Sequence, residues 1–184
     1  LLHKYHGRVL LTVTGACAIH CRYCFRREFP YAEANPRRGD GRDALAHIRG
    51  DPSIHEVILS GGDPLSLTDP ALANHPNEID YEVMASLREL AQAGAVLLNQ
   101  TVLLRGVNDC AKTLSELSRR LFAASVLPYY LHVLDPVRGA AHFRVPDAEA
   151  AELIAAVAAR MPGYLVPRLV REDPGQPGKT PVHW

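Results

Sequence analysis

The chain has 184 residues, with 20 Lys plus Arg against 20 Asp plus Glu. That length allows one domain with a real core, and the charge balance excludes a globally basic nucleic-acid-binding protein. No apolar run is long enough to cross a membrane, no signal peptide is expected, and three of the four cysteines crowd between 17 and 24. Such crowding argues for metal or redox chemistry in a reducing compartment, the cytoplasm, rather than for disulfides.

Arg8 to Thr14 (RVLLTVT) is apolar and β-branched. It is predicted to be a buried strand that runs directly into Cys17 to Phe29 (CAIHCRYCFRREF). There Cys17, Cys21 and Cys24 are separated by three and then two residues. Thiolates this close in one loop can reach a common centre. A structural zinc site wants four ligands, and an ordinary [4Fe–4S] cluster wants four cysteines. Three leave one coordination position open for a substrate. Two plainer readings fit the same residues: half a zinc site completed by His20 or His6, or uncoordinated thiols.

Pro30 to Gly41 reads as loop, and Arg42 to Arg49 as a short helix with Leu45 and Ile48 inward. Glu56 to Ser60 is a second buried strand, ended by Gly61-Gly62-Asp63-Pro64. Ile79, Val83, Leu87, Leu90 and Ala91 fall at helical spacing, closed by Gly94 at C′. Val96 to Leu104 is a strand interrupted at Asn99-Gln100. Thr113 to Ala123 is a helix with Leu114, Leu117, Leu121 and Phe122 on its apolar side. Pro128 to Leu134 is a strand, and Asp147 is expected to N-cap a helix over 148–161 that Pro162 stops. Tyr164 to Val170 is the last predicted strand, before a Pro/Gly-rich tail from Asp173.

Alternating strands and helices imply βαβ units and a mainly parallel sheet. Ligands of such sheets sit at the carboxyl ends of the strands. The cysteine loop, Gly61-Gly62-Asp63, Gly106 to Asp109 and Asp135 each follow a strand, and so are expected on one rim. The glycine turn can expose backbone groups to a polar ligand, although alone it reads as a plain turn. Lys179, in DPGQPGKTP, lacks the spacing of a phosphate-binding loop. A lysine on a glycine loop can form a Schiff base with pyridoxal phosphate (PLP), but alone it reads as an exposed tail lysine. Asp135, Glu172 and Arg26 likewise read, alone, as a strand-end turn residue, a solvated acid and a surface charge.

Together, CRYCFRR, LSGGDPL, NHPNEID, LLNQTVLLRGVND, LPYYLHVLD, GAAHFRVP, GYLVP and PGKTP stand in the order found in lysine 2,3-aminomutases, which are radical S-adenosylmethionine (SAM) enzymes. The resemblance runs over nearly the whole chain. HKYHGRVLL and CRYCFRREFPY look most like the short bacterial form that serves elongation factor P. It implies an α/β fold, a partial (β/α) radical SAM barrel, in one aminomutase-like domain over residues 1–184. It also implies an isomerase that moves the amino group of free L-lysine from C2 to C3, giving β-lysine for a ligase that modifies elongation factor P. Flavodoxin or ferredoxin would supply electrons, and neither nucleic acid nor membrane is an expected partner.

In the roles the resemblance implies, Cys17, Cys21 and Cys24 hold a [4Fe–4S] cluster, and Gly61, Gly62, Asp63 and Gln100 bind SAM. Lys179 carries PLP, whose phosphate Arg8 and Lys4 face. Arg26 takes the lysine carboxylate, and Asp135 and Glu172 its distal ammonium. A guanidinium fork matches a carboxylate bidentately. Two acids around one ammonium reject apolar analogues, which would leave both charges unpaired.

The sequence departs from this family in three ways. The chain opens on Leu1, and an N-terminal region is expected to be missing. Cys110 stands where longer aminomutases build part of a zinc site, but no cysteine follows it, so a free thiol is expected. Only a few residues after Leu65 separate GGDPL from NHPNEID, where the family has most of two βα units. At ~250 residues per eight units, about 60 residues are expected to be missing. Two other readings therefore stand beside the enzyme: a non-catalytic remnant, and a zinc-binding interaction module built on Cys17 to Cys24.

Overall fold

The computed structural model describes residues 2–14, 42–61, 73–176 and 178–183. Cys17, Cys21, Cys24, Arg26, Gly62, Asp63 and the predicted loop at Pro30 to Gly41 lie outside the described residues. The chain divides into two compact units, Leu1–Asp69 and Pro70–Trp184.

In the first unit, strand β1 (Leu2–Tyr5) runs antiparallel to β2 (Arg8–Thr14), and β2 runs parallel to β3 (Glu56–Gly61). Helix α1 (Arg42–Gly50) precedes β3 in the chain, so β2 and β3 form the ends of a βαβ unit. The tight β1–β2 turn uses Gly7 at φ +73, where the imidazole of His55 packs so closely that a Cβ would lie 2.0 Å from its Cε1. Glycine is the residue that tolerates both demands. Two expectations need correction. Leu45 is 46% exposed and Val57 39%, so Leu45 does not face inward and β3 is not buried at Val57. The described residues bring too little apolar cover to those faces.

The second unit alternates helix and strand: α2 (Tyr81–Gln92), β4 (Leu97–Leu103), α3 (Ala111–Ala123), β5 (Val126–Val133), α4 (Asp147–Ala158) and β6 (Arg168–Arg171). Strands β4, β5 and β6 are parallel, and the short β7 (Thr180–Pro181) adds antiparallel to β6. One core cluster joins Leu114 of α3, Leu131 of β5, Ile154 and Val157 of α4, and Leu169 of β6. A second joins Ile79, Leu87, Leu117, Leu121 and Val126. Ala150, Ile154 and Val157 are spaced to lay one stripe of the alanine-rich α4 on the sheet.

Several boundaries follow local chemistry. Asp80 caps α2, its Oδ1 accepting from the Val83 N–H at 2.8 Å. Gly94, at φ +93, closes α2: its N–H bonds to Ala91 O and that of Ala95 to Leu90 O, the expected C′ geometry. The interruption at Asn99-Gln100 is an irregularity in the β4–β5 register. Asp147, by contrast, is the first helical residue of α4 and not its cap; Pro146 precedes it, and the Asp147 carboxylate pairs with Arg171. Phe122 is 46% exposed, with its ring 5.5 Å from that of Tyr164, because it lies at the rim of the α3 stripe. The strand expected from Tyr164 begins only at Arg168, after a 3-10 turn over Gly163–Leu165.

Among the described residues β3 ends the strand order of the first unit's sheet, and β4 that of the second unit's sheet. The segment entering the second unit is held by side chains. Asn99 Oδ1 accepts from Ala73 N at 2.8 Å and Asn99 Nδ2 donates to Ala73 O at 3.0 Å. Asn74 Oδ1 accepts from Val102 N at 2.7 Å, and Asn108 Nδ2 donates to Asn74 O at 2.8 Å.

Candidate active site

The site residues that the structure describes together belong to the second unit and follow from strand alternation. Gln100 pairs in register with Tyr130, Val102 with His132, and His132 with Val170. Leu103, Leu131, Val133 and Leu169 point to the helices and build the core. Gln100, Tyr130 and His132 therefore occupy the other face, because successive side chains of a strand alternate. Glu172 lies two residues beyond Val170 and Asp135 two beyond the end of β5, and β7 brings Lys179 back to them.

The Lys179 Nζ donates to Glu172 Oε2. His132 Nε2 and Gln100 Oε1 are 3.0 Å apart. Burial, and next the Lys179 ammonium, push the His132 imidazolium down to about 4, against a weaker pull from Glu172. His132 is thus neutral at neutral pH, and a neutral imidazole beside a carbonyl oxygen donates its Nε2 hydrogen. Burial and the like charge of Glu172 raise the Asp135 carboxyl, and Lys179 partly offsets them. A groove of about 620 Å³ opens beside these acids, lined by Asp135, Arg138, Arg144, Arg171, Glu172 and Asp173.

Of the expected site residues, Gln100, Asp135, Glu172 and Lys179 come together here, and His132 joins them. Sequence reasoning missed His132. The signal that finds it is position: a histidine alternating with buried Leu131 and Val133 on a strand paired on both sides. Arg8 stands opposite Glu56 in the β2–β3 register and pairs with it at 2.5 Å. Lys4 lies on β1, and Gly61 ends β3. Cys110 is free and exposed; its Sγ caps α3, 3.0 Å from Thr113 Oγ1, and that contact lowers the thiol's pKa. Among the described residues no group of three or more His, Cys, Asp and Glu could hold a metal, and no helix is long and apolar enough to cross a membrane.

No family model matches the chain. It is 41% identical to the L-lysine 2,3-aminomutase of Escherichia coli (strain K12) over 232 residues, covering 99% of this chain and 68% of that protein. It is 39% identical to the protein of the same name from Haemophilus influenzae, over 98% of this chain and 68% of the relative. The chain belongs to the lysine 2,3-aminomutase family. Its enzymes are isomerases, as the name states. The aminomutase of Clostridium subterminale is 34% identical over 99% of this chain and 56% of its own length.

Among solved structures, a radical SAM methyltransferase from Sphaerobacter thermophilus superposes with a TM-score of 0.52 at 17% identity, over 74% of this chain and 48% of that one. The fold is therefore a partial radical SAM barrel, as the family resemblance implied. The aligned stretch of the Escherichia coli aminomutase exceeds this chain by 48 residues, 232 against 184, so the family member described here carries an internal deletion. The shortfall is somewhat smaller than the size of two βα units suggested.

The donor set in the second unit fits what an aminomutase of this family would need on the substrate side. It offers a primary amine for an aldehyde-bearing cofactor and two acids for a second ammonium.

Proposed function

We propose that the site serves the migration of the amino group of L-lysine from C2 to C3, with PLP on Lys179, SAM, and a [4Fe–4S] cluster on Cys17, Cys21 and Cys24. The observation that carries the reading is the grouping of Lys179, Glu172 and Asp135 beside Gln100 and His132 at one end of a parallel sheet. PLP, when bound, supplies the π-system over which an amino group can migrate.

The chain's own residues do the rest. Asp135 and Glu172 offer two negative charges to the distal ammonium, and Arg26 offers a fork to the carboxylate. A diamino acid satisfies all three, whereas an apolar analogue leaves desolvated charges behind. Arg8 and Lys4 take a phosphate. Gly61, Gly62 and Asp63 take the amino end of SAM, and Gln100, oriented by His132, contributes to the same ligand. Flavodoxin or ferredoxin is the electron donor, the compartment is the cytoplasm, and the product serves elongation factor P through its lysine ligase.

Borohydride reduction of the chain mixed with PLP tests the central assignment. Pyridoxyl is expected on Lys179 and is lost in Lys179→Ala; labelling on Lys112 or Lys4 instead would sink it. A second reading, a non-catalytic remnant that keeps cofactor affinity without turnover, draws support from the 48-residue shortfall and from the edge positions of β3 and β4.

A further inference from the structure

The reading above gives Asp135 and Glu172 one task. The hairpin that carries Glu172 points to a second. β6 and β7 pair antiparallel, with Val170 opposite Pro181 and Arg171 opposite Thr180. The next pair in that register is Glu172 and Lys179, and their side chains form an ion pair. An opposite-charge pair facing across a ladder fixes register as well as adding attraction. The side chains are 23% exposed for Lys179 and 33% for Glu172, so solvent screens the pair only in part. Two further titratable groups act on it: Asp135, beyond β5, and His132, on β5. Glu172 carries the carboxylate in contact with the ammonium.

An amine attacks a carbonyl only as the free base. The contact that aims Lys179 also occupies its nitrogen. A carboxylate already matched by one ammonium offers little to a second.

We infer that Glu172 is a positioning residue that serves two ammonium groups in turn. It holds Lys179 while that lysine is unreacted, and it receives the substrate's distal ammonium only after the lysine nitrogen is bonded to the cofactor. Attachment consumes the ammonium: one proton passes to solvent, the nitrogen bonds to the aldehyde carbon, and the aldehyde oxygen leaves as water. Asp135 is then the acid dedicated to choosing a diamino acid. The inference rests on the proposed role of Lys179 as the cofactor lysine.

The test uses the 184-residue chain without cofactor, labelled with trace acetic anhydride near neutral pH and read by mass spectrometry. Lys112, exposed on α3, is the internal reference. Glu172→Gln is expected to speed acetylation of Lys179 about fivefold relative to Lys112. Asp135→Asn should change it less than about twofold, and Glu172→Asp should restore most of the protection. N,N,N′,N′-tetramethyl-1,5-diaminopentane carries two charges and cannot be acetylated. It should speed Lys179 labelling in the parent and have no effect in Glu172→Gln.

Equal Lys179 rates in the parent and Glu172→Gln, at unchanged circular dichroism, would overturn the inference. So would a diamine effect that survives the substitution. If the variants lose their circular dichroism signal, the diamine titration of the parent decides, and no acceleration there overturns the proposal. Pyridoxyl found on another lysine would remove the cofactor assignment while leaving the labelling result intact, so the two failures are distinguishable.

Discussion

Asn108 ties the end of β4 to the segment at Asn74, and its loss has a calculable cost. It is fully buried. Its Oδ1 accepts from Leu104 N at 2.8 Å, and its Nδ2 donates to Asn74 O and Val102 O, each at 2.8 Å. In Asn108→Leu the volume stays filled, so water cannot replace the amide, and three backbone groups lose this partner. A buried polar group left unsatisfied costs roughly 1–3 kcal/mol, and partial relaxation puts the sum at about 3–6 kcal/mol. That is a large part of the ~5–15 kcal/mol that holds a typical domain together. Asn108→Ala leaves room for a water and should cost about half as much. Urea unfolding followed by circular dichroism gives the total, and hydrogen exchange at the Leu104 amide gives the local share. An Asn108→Leu chain within about 1 kcal/mol of the parent, with unchanged Leu104 protection, would refute the reasoning.

The remaining predictions concern pH, a cap and the deletion. His132 titrates near 4 in the folded chain against 6.5 ordinarily, so between those values the unfolded chain binds a proton that the folded one does not. Its contribution is fully present above pH 6.5 and is lost as pH falls toward 4, by at most about 3 kcal/mol. Asp135, whose carboxyl is raised, works the other way on acidification, so the net slope is smaller than His132 alone would give. His132→Gln should flatten the loss measured by urea titration from pH 6.5 to 4, and identical slopes in the two chains would rule this out. Asp80→Ala removes the α2 cap and should lower stability by about 1 kcal/mol, while Asp80→Asn should cost little. Inserting the family's missing residues after Leu65 should yield β-lysine where the present chain forms none, and β-lysine from the present chain would show the missing units to be dispensable.

The parallel αβ order was legible because each element carries its own period and its own stop. Leu114, Leu117 and Leu121 sit at helical spacing and are buried, and Gly94 ends α2 as its lack of a Cβ predicts. Lys179, Glu172 and Asp135 were legible only through motif order, since each alone reads as a surface residue. β7 was not legible: two residues, one of them proline, carry no strand signal until Arg171 and Val170 are there to pair with them. The asparagine network was missed for a related reason. Asn99 and Asn108 look like turn formers, and only the fold shows that they satisfy the backbone of residues 73, 74, 102 and 104. His132 was missed because its partner Gln100 is 32 residues away.

The residues of the proposed chemistry are spread over both compact units. A parallel strand is normally paired on both sides and covered on both faces. Among the described residues β3 and β4 are each an edge of their own sheet, and the sequence passes from GGDPL to NHPNEID through only Ser66 to Ala73. The residues proposed for the cluster, the SAM amino end and the phosphate belong to the unit before that junction. Those proposed for PLP attachment and the distal ammonium belong to the unit after it. The ion pair of Lys179 with Glu172 lies within the second unit, where β7 pairs with β6. Under the proposed function, turnover would need the residues assigned in both units to act on one molecule. The two sets of proposed residues can therefore be assayed separately. Borohydride labelling of Lys179 reports on one half, iron content on the other, and β-lysine formation on their alignment.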